Sequence, residues 1–330
     1  MKLWGVAMVR NEEDIVEAFV RHNLAILDGL LVVDHLSSDR TAAILRALCD
    51  ERLPLVIVRN ESPGYLQAEV TTTAAREAFA RAGADFVFAL EADEFLRASS
   101  RGALELALST IPPGHVGRVA RFTYVTRSAD APANALDVVR AAMRLASEPA
   151  RPAPFRAKVV LTREFAGVAD AYLTMGNRQV AVGRDLATAW NVRHVDVPAS
   201  AVRICHLPVR SRPQYVAKIA VRGLAHAATG RGNTPGARWQ RELDTLRSGE
   251  LLDEAAMLRS YVEGGAGSGA SATPATVVDP FLAPIELRHT PPASADALPT
   301  VLAAIEHMAR RLSSSRLAPP GPPAAEPRPA

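Results

Sequence analysis

Cysteine is almost missing from this 330-residue chain, which has only Cys49 and Cys205 and no CxxC pair. Two isolated thiols without a nearby Cys/His pair build no structural zinc site. Both fall in apolar stretches and read as ordinary buried thiols in a reducing compartment. Long hydrophobic runs are missing as well. No stretch approaches the roughly 20 uninterrupted apolar residues that a spanning helix needs. The opening Met1–Arg10 run is too short, and too soon followed by charge, for a signal peptide. No transmembrane segment and a cytoplasmic location are therefore expected. Charge of one sign is not in excess: 38 Lys+Arg against 35 Asp+Glu leave +3, which gives no ground to expect nucleic acid as a partner. Glycine-rich phosphate loops are absent too. The first strand is followed by Met8-Val9-Arg10-Asn11-Glu12-Glu13-Asp14 rather than GxGxxG, which argues against a dinucleotide dehydrogenase, and no Walker A sequence occurs. The one Gly-rich run, Gly264–Ala270, lies in a Ser/Ala/Pro tract and reads as linker.

What is present is a soluble, globular composition, 48% hydrophobic and 22% charged, long enough for one large domain or two modest ones. The run Phe86-Val87-Phe88-Ala89-Leu90 is apolar and β-prone, and it ends in Glu91, Asp93 and Glu94. A buried parallel strand of this kind delivers its acids to one rim of a sheet. Carboxylates so close repel unless protons or a cation neutralise them, and a hard divalent metal bound to phosphate oxygens is the usual resolution.

The first hundred residues alternate with the period of βα units. Strands are expected at Leu3–Val9, Leu30–Asp34, Leu55–Arg59 and Asp85–Leu90. Helices are expected near Glu12–Leu27 (capped by Asn11, closed by Gly29), over Thr41–Glu51, and over Gln67–Ala82 with Gly83 as its stop. This predicts an α/β fold with a parallel sheet and helices on both faces. Strand 4 beside strand 1 at the switch point would bring Asn11 and Glu12 close to Glu91 and Asp93. Further strands are expected at Arg118–Thr126, Ala157–Leu161, Gln179–Val182 and Val202–Leu207, making a mixed second half. Helices follow at Gln214–Ala228, Arg238–Arg247, Asp253–Val262 and Pro299–Leu312. The last has an apolar stripe beside Arg310 and Arg311; it is compatible with weak peripheral membrane contact, although packing onto the domain is expected. Residues 264–297 read as linker, 298–314 as helix, and 315–330 as a disordered Pro-rich tail.

Four segments in order resemble one family. Val9-Arg10-Asn11-Glu12-Glu13, Val32–Thr41 with its Asp34 and Ser37-Ser38-Asp39, Glu91-Ala92-Asp93-Glu94-Phe95, and His206-Leu207-Pro208-Val209-Arg210-Ser211 with Gln214 and Lys218 resemble the bacterial family-2-like glycosyltransferases of the GT-A fold. The resemblance covers roughly residues 3–220. It implies a Rossmann-like nucleotide-binding half over 1–100 and an acceptor-side half with C-terminal helices over 101–263. It also implies a divalent metal (Mn2+ or Mg2+) and a nucleotide-sugar donor, with UDP expected. The acceptor is a hydroxyl on a glycan, a lipid-linked sugar or a small molecule, the product serving surface glycan or glycoconjugate synthesis.

Under the resemblance, Asp34 and Asp39 hold base and ribose, and Asn11 and Glu12 contact the nucleotide. Asn11 and Asp39 also read as helix caps. Glu91 and Asp93 stand at the family's DxD position, with Glu91 where Asp is usual, Asp93 as metal ligand and Glu91 toward the donor. His206 reads either as a core histidine or as the imidazole completing the metal shell. Arg210 and Lys218 suit a diphosphate leaving group whose charge grows as its bond breaks. A catalytic base is required near the acceptor hydroxyl, and the candidates are Asp170 and Glu94; Arg178 stands where the family branch has His. A sugar-phosphate nucleotidyltransferase would need a Gly-rich basic loop after strand 1, which is missing. A non-catalytic nucleotide-sugar-binding or assembly protein with a degenerate site is favoured by Glu91 and Arg178.

Overall fold

The computed structural model describes residues 1–125, 143–145, 157–183, 190–229, 237–249, 276–279, 285–292, 294 and 296–316. In chain order the elements are β1 (Leu3–Val9), α1 (Val16–Leu24), β2 (Gly29–His35), α2 (Thr41–Asp50), β3 (Leu55–Asn60), α3 (Gln67–Ala82), β4 (Phe86–Leu90), β5 (Glu94–Ala98) and α4 (Arg101–Ser109). Then come β6 (Val116–Val125), β7 (Met143–Leu145), β8 (Ala157–Thr162), the single turn α5 (Glu164–Gly167), β9 (Ala171–Leu173), β10 (Val180–Val182), β11 (Trp190–Asn191), β12 (His194–Val197) and β13 (Val202–His206). Helices α6 (Arg212–Ala227) and α7 (Ala237–Arg247), strand β14 (Thr276–Val278) and helix α8 (Leu298–Arg316) complete the described chain. The helix expected at 253–262, the glycine run at 264–270 and the tail from 317 lie outside the described residues.

The architecture is α/β, with a mixed central sheet in the order β14-β7-β6-β8-β4-β1-β2-β3, consistent with a Rossmann-like GT-A fold. β1, β2, β3 and β4 run parallel, and β8 runs antiparallel to β4 and β6. β2 and β3 extend the sheet on one side of β1 and β4 on the other, so the chain reverses its winding between β1 and β4. β1, β2 and β4 are near-continuous apolar runs because both sheet faces are covered. Phe19, Ile44, Leu48 and Leu104 pack on one face, and Ala75, Ala78, Phe79 and Phe165 on the other. β3 is the edge, and it leaves Val56 and Val58 in solvent.

Two local expectations change. Asn11 does not cap the first helix: its φ of 53° puts it in the left-handed region, and α1 starts later with Ile15 at its cap position. Asn and Asp visit that region because their short polar chains bond locally, and Asn11 Oδ1 accepts the Ser38 N–H at 2.8 Å. Gly29 does not close that helix either. It opens β2 opposite Trp4, where a Cβ would sit 2.5 Å from the indole. Gly83 does stop α3, with φ of 65°.

Candidate active site

The site is built on the turn between β4 and β5. Glu94 N–H returns to the Glu91 carbonyl at 3.0 Å, and Glu94 Oε2 accepts the Glu91 N–H at 3.0 Å, so the backbone folds tightly around the three acids. β5 then runs antiparallel to β13, with His206 opposite Glu94, and Leu207 N–H bonds the Asp93 carbonyl at 2.9 Å. That pairing sets the His206 imidazole beside the acids. One ligand atom each from Glu91, Asp93 and His206 lies within 4.8 Å of the others, and His206 Nε2 is 3.6 Å from Asp93 Oδ1.

Repulsion among the acids is answered by buried cations. Lys158 Nζ lies 2.9 Å from Glu91 and 3.1 Å from Glu94. Lys218 Nζ lies 2.7 Å from Asp93 and 3.3 Å from Glu12. Arg210 forks onto Asp14 at 2.6 and 2.9 Å, reaches Glu12 at 2.5 Å and stands 4.0 Å from Asp93. Burial alone would raise the Asp93 carboxyl, but the Lys218 ammonium, with Arg210 farther off, outweighs it and holds the group well below the usual range. Glu91 is lowered in the same way, its burial outweighed by Lys158 and Arg222. Glu94 goes the other way: its burial dominates and pushes its carboxyl up. Burial, with Arg121 next, holds the His206 imidazole well below its ordinary value, so it can offer a lone pair.

Ser37 and Ser38, between β2 and α2, are bound by Asp34 and Asn11, and Asp39 follows them at the start of α2. Asp34 Oδ1 accepts the Ser37 N–H at 3.2 Å, and Asp39 accepts N–H groups from Glu13 and Thr41 at 3.2 and 2.9 Å. Burial pushes Asp39 up to about 7, with Glu13 adding to it. Asn11, Asp14, Asp39 and Arg210 line a crevice of about 60 Å3 that Pro291, Pro292 and Asp296 close from the C-terminal side. A second opening of about 50 Å3 is lined by Arg10, Glu12, Tyr65, Gln67, Glu91 and Lys218. Asp170 is not in this group. It lines a separate, larger cleft whose rim again includes Tyr65 and Gln67.

Several residues here were not singled out from sequence. Lys158 stands alone in the apolar Ala157–Thr162 strand, and a buried lysine nearly always has an anionic partner, so that signal was available. Gln67 donates to Glu91 Oε1 at 3.3 Å and accepts from the Gly176 N–H at 2.9 Å, linking the acid turn to the β9–β10 turn. The Arg10 guanidinium is largely buried, finds no hydrogen-bond partner among the described residues, and is drawn down to about 10 by burial, with Asp34 opposing. Arg10 stands in the Val9–Glu13 motif of the resemblance, but no task was assigned to it from sequence.

The acids and the imidazole fit a divalent cation. Asp93 Oδ1 is buried and accepts no hydrogen bond among the described residues, and two carboxylates with one imidazole form an N/O donor set that such ions accept.

No family model matches this chain, and no curated protein sequence matches it. Among solved structures, TarS residues 1–349 from S. aureus align at 12% identity with a TM-score of 0.35, covering 80% of this chain and 73% of that one. The glucosyl-3-phosphoglycerate synthase of Mycobacterium tuberculosis, in complex with Mn2+, UDP and glucosyl-3-phosphoglycerate, aligns at 20% identity and 0.25, over 37% of this chain and 44% of that one. The mannosyl-3-phosphoglycerate synthase of Rubrobacter xylanophilus aligns at 19% and 0.26, over 40% and 42%. The chain thus spans less than half the length of either synthase. Likenesses this distant carry no conclusion about chemistry, which rests on the residues themselves. No helix among the described residues is long and apolar enough to cross a membrane.

Proposed function

We propose that this chain is a glycosyltransferase that moves a sugar from a nucleotide-sugar, with UDP the expected nucleotide, to an acceptor hydroxyl with inversion. One observation carries the reading: Glu91, Asp93 and His206 converge at the carboxyl ends of β4 and β13, on the rim where open α/β sheets bind ligands. The four motifs that resemble family-2-like glycosyltransferases supply the same residues. In the reaction the acceptor oxygen attacks the anomeric carbon, the bond from that carbon to the diphosphate oxygen breaks, and the hydroxyl proton passes to a base.

Each residue has a task under this reading. Asn11, Glu12 and Asp39, which line the two crevices, meet the nucleoside end, and buried Asp34 braces that end through Ser37. Lys218, at the mouth of the crevice, meets the diphosphate as its charge grows. Arg210 is buried on Glu12 and Asp14 and positions them, acting on the donor through those carboxylates. Asp93, Glu91 and His206 would hold Mn2+ or Mg2+, which supplies positive charge to the leaving diphosphate. Asp170 takes the proton from the acceptor side, while Glu94, enclosed beneath its turn, keeps the acids in place.

A second reading, a nucleotide-sugar-binding protein without turnover, draws on the ammonium groups already paired with Glu91 and Asp93. Thermal stabilisation by UDP, GDP and dTDP, with and without Mn2+, in wild type and Asp93→Ala, tests the proposal. One nucleotide should shift the melting temperature in a metal-dependent way that the variant loses. No shift with any nucleotide sinks both readings; a shift without transfer to any hydroxyl leaves only the second.

A further inference from the structure

Lys158 has no task in the proposed reaction, yet its side chain is 1% exposed and stands against the acid turn. Strand pairing fixes it there. Lys158 lies opposite Val119 of β6, and Val160, two residues on, lies opposite Phe88 of β4. Its ammonium sits 2.9 Å from Glu91 Oε1 and 3.1 Å from Glu94 Oε1. Gln67 Nε2 donates to the same Glu91 oxygen at 3.3 Å, so that oxygen is taken and Oε2 is the one left for an ion. Asp93 is divided in the same way: Lys218 Nζ holds Oδ2 at 2.7 Å, while buried Oδ1 accepts no hydrogen bond among the described residues. The two ammonium groups are not equivalent. Lys218 lines the second opening and is 13% exposed, so a ligand there reaches it. Lys158 is enclosed in the sheet, and its charge stays beside Glu91 whatever binds. A compact ammonium and a divalent ion on one carboxylate repel each other, and in an enclosed site salt screens that repulsion little.

We propose that Lys158 is a built-in counter-cation: it keeps the acid turn assembled without metal, and it lowers the affinity for Mn2+ or Mg2+ by sharing Glu91 with the ion. The proposal rests on the reading of Glu91, Asp93 and His206 as the metal ligands. Lys158 acts on the ion through Glu91 and is therefore a positioning residue. Without metal, its charge offsets the repulsion between Glu91 and Glu94, so the chain needs no ion to fold. With metal, the ion enters a turn whose acids are already compensated, and it binds less tightly than the same ligands would hold it alone.

Titration of the full chain with Mn2+, read by the electron paramagnetic resonance of the free ion, tests this, with melting temperatures taken in the same buffers. Wild type should melt at the same temperature with and without a chelator. Lys158→Met should bind Mn2+ at least about tenfold more tightly than wild type. It should also melt lower without the ion and gain more from adding it, because tighter binding stabilises the folded chain more. Lys158→Met/Glu94→Gln removes the ammonium together with one buried carboxylate. It should show the same tightening with a smaller loss of stability, which keeps the test open where the single variant does not fold. A variant that binds Mn2+ no more tightly than wild type overturns the proposal, as does a wild-type chain whose melting temperature falls when a chelator strips its ions. The two readings fail differently. Mn2+ binding that Asp93→Ala abolishes and Lys158→Met leaves unchanged refutes the role of Lys158 alone. No Mn2+ binding in wild type or in either Lys158 variant refutes the metal site itself.

Discussion

Arg210 has almost no solvent exposure, yet it carries two carboxylates on its guanidinium and a third 4.0 Å away. Burial by itself would lower its pKa; Asp14 and Glu12 reverse that and raise it. Removing one member of a buried ion pair strands the others, at a cost of about 3–5 kcal/mol. Arg210→Ala should lose about that much stability in urea denaturation, and Arg210→Lys should recover only part, because an ammonium cannot fork. A loss under about 1 kcal/mol, the value of exposed pairs, would contradict this account. The acid cluster was legible at this scale because carboxylates closing an apolar strand stand out, whereas His206, alone after an apolar run, was singled out only through the resemblance. Lys158 gave half a signal, a lone lysine in an apolar strand, but its partners could not be read, since Glu91 and Glu94 lie at the β4–β5 turn far away in sequence.

At the scale of elements, the βα alternation through β4 was readable because each helix and strand carries its own period and stop. β5 was not: Phe95 and Leu96 follow the acids directly, and their strand exists through pairing with β13, about a hundred residues on. The segment around residue 290 was equally hidden, because its hold on the molecule is made by backbone. Glu17, with no solvent exposure in α1, accepts N–H groups from Arg288, His289 and Thr290, each at 2.8 Å, and bonds Arg21. Burial raises the Glu17 carboxyl, but those donors outweigh it and bring its pKa below the ordinary 4.5. A carboxyl lowered in the folded state binds fewer protons there than in the unfolded chain. Its stabilisation is therefore complete above about pH 4.5 and is lost as pH falls through the folded value. Glu17→Gln should cost about 1.5–3 kcal/mol at pH 7, the worth of hydrogen bonds to a charged group. The gap between variant and wild type should narrow as pH falls below the ordinary 4.5 and close once pH has passed the lowered folded value. A gap that stays constant into acid would show that the charge is not what holds residues 288–290 on Glu17. Amide exchange at 288–290 should quicken in the same variant.

Over the whole molecule, the C-terminal segment returns to the N-terminal half. Asp279 pairs with Arg97 and Arg203 and accepts from Tyr124, and Ala304 and Met308 of α8 are buried. The apolar stripe of α8, read from sequence as compatible with a membrane surface, is partly spent on packing beside α6. Pro291, Pro292 and Asp296 end up walling the crevice beside Asn11 and Asp39, so a segment that looked compositionally loose contributes to the candidate nucleotide site. Long-range contacts of this kind have no local sequence signature. The central claim is that the β4–β5 acids and His206 hold a metal for a nucleotide diphosphate. Anomalous diffraction from crystals of the full chain grown with Mn2+ and UDP tests it most directly. The account predicts a single Mn2+ peak in coordinating distance of Asp93, with UDP phosphate oxygens beside it and Lys218 turned toward them. UDP bound with no Mn2+ peak at Asp93, or Mn2+ at another cluster, would contradict it.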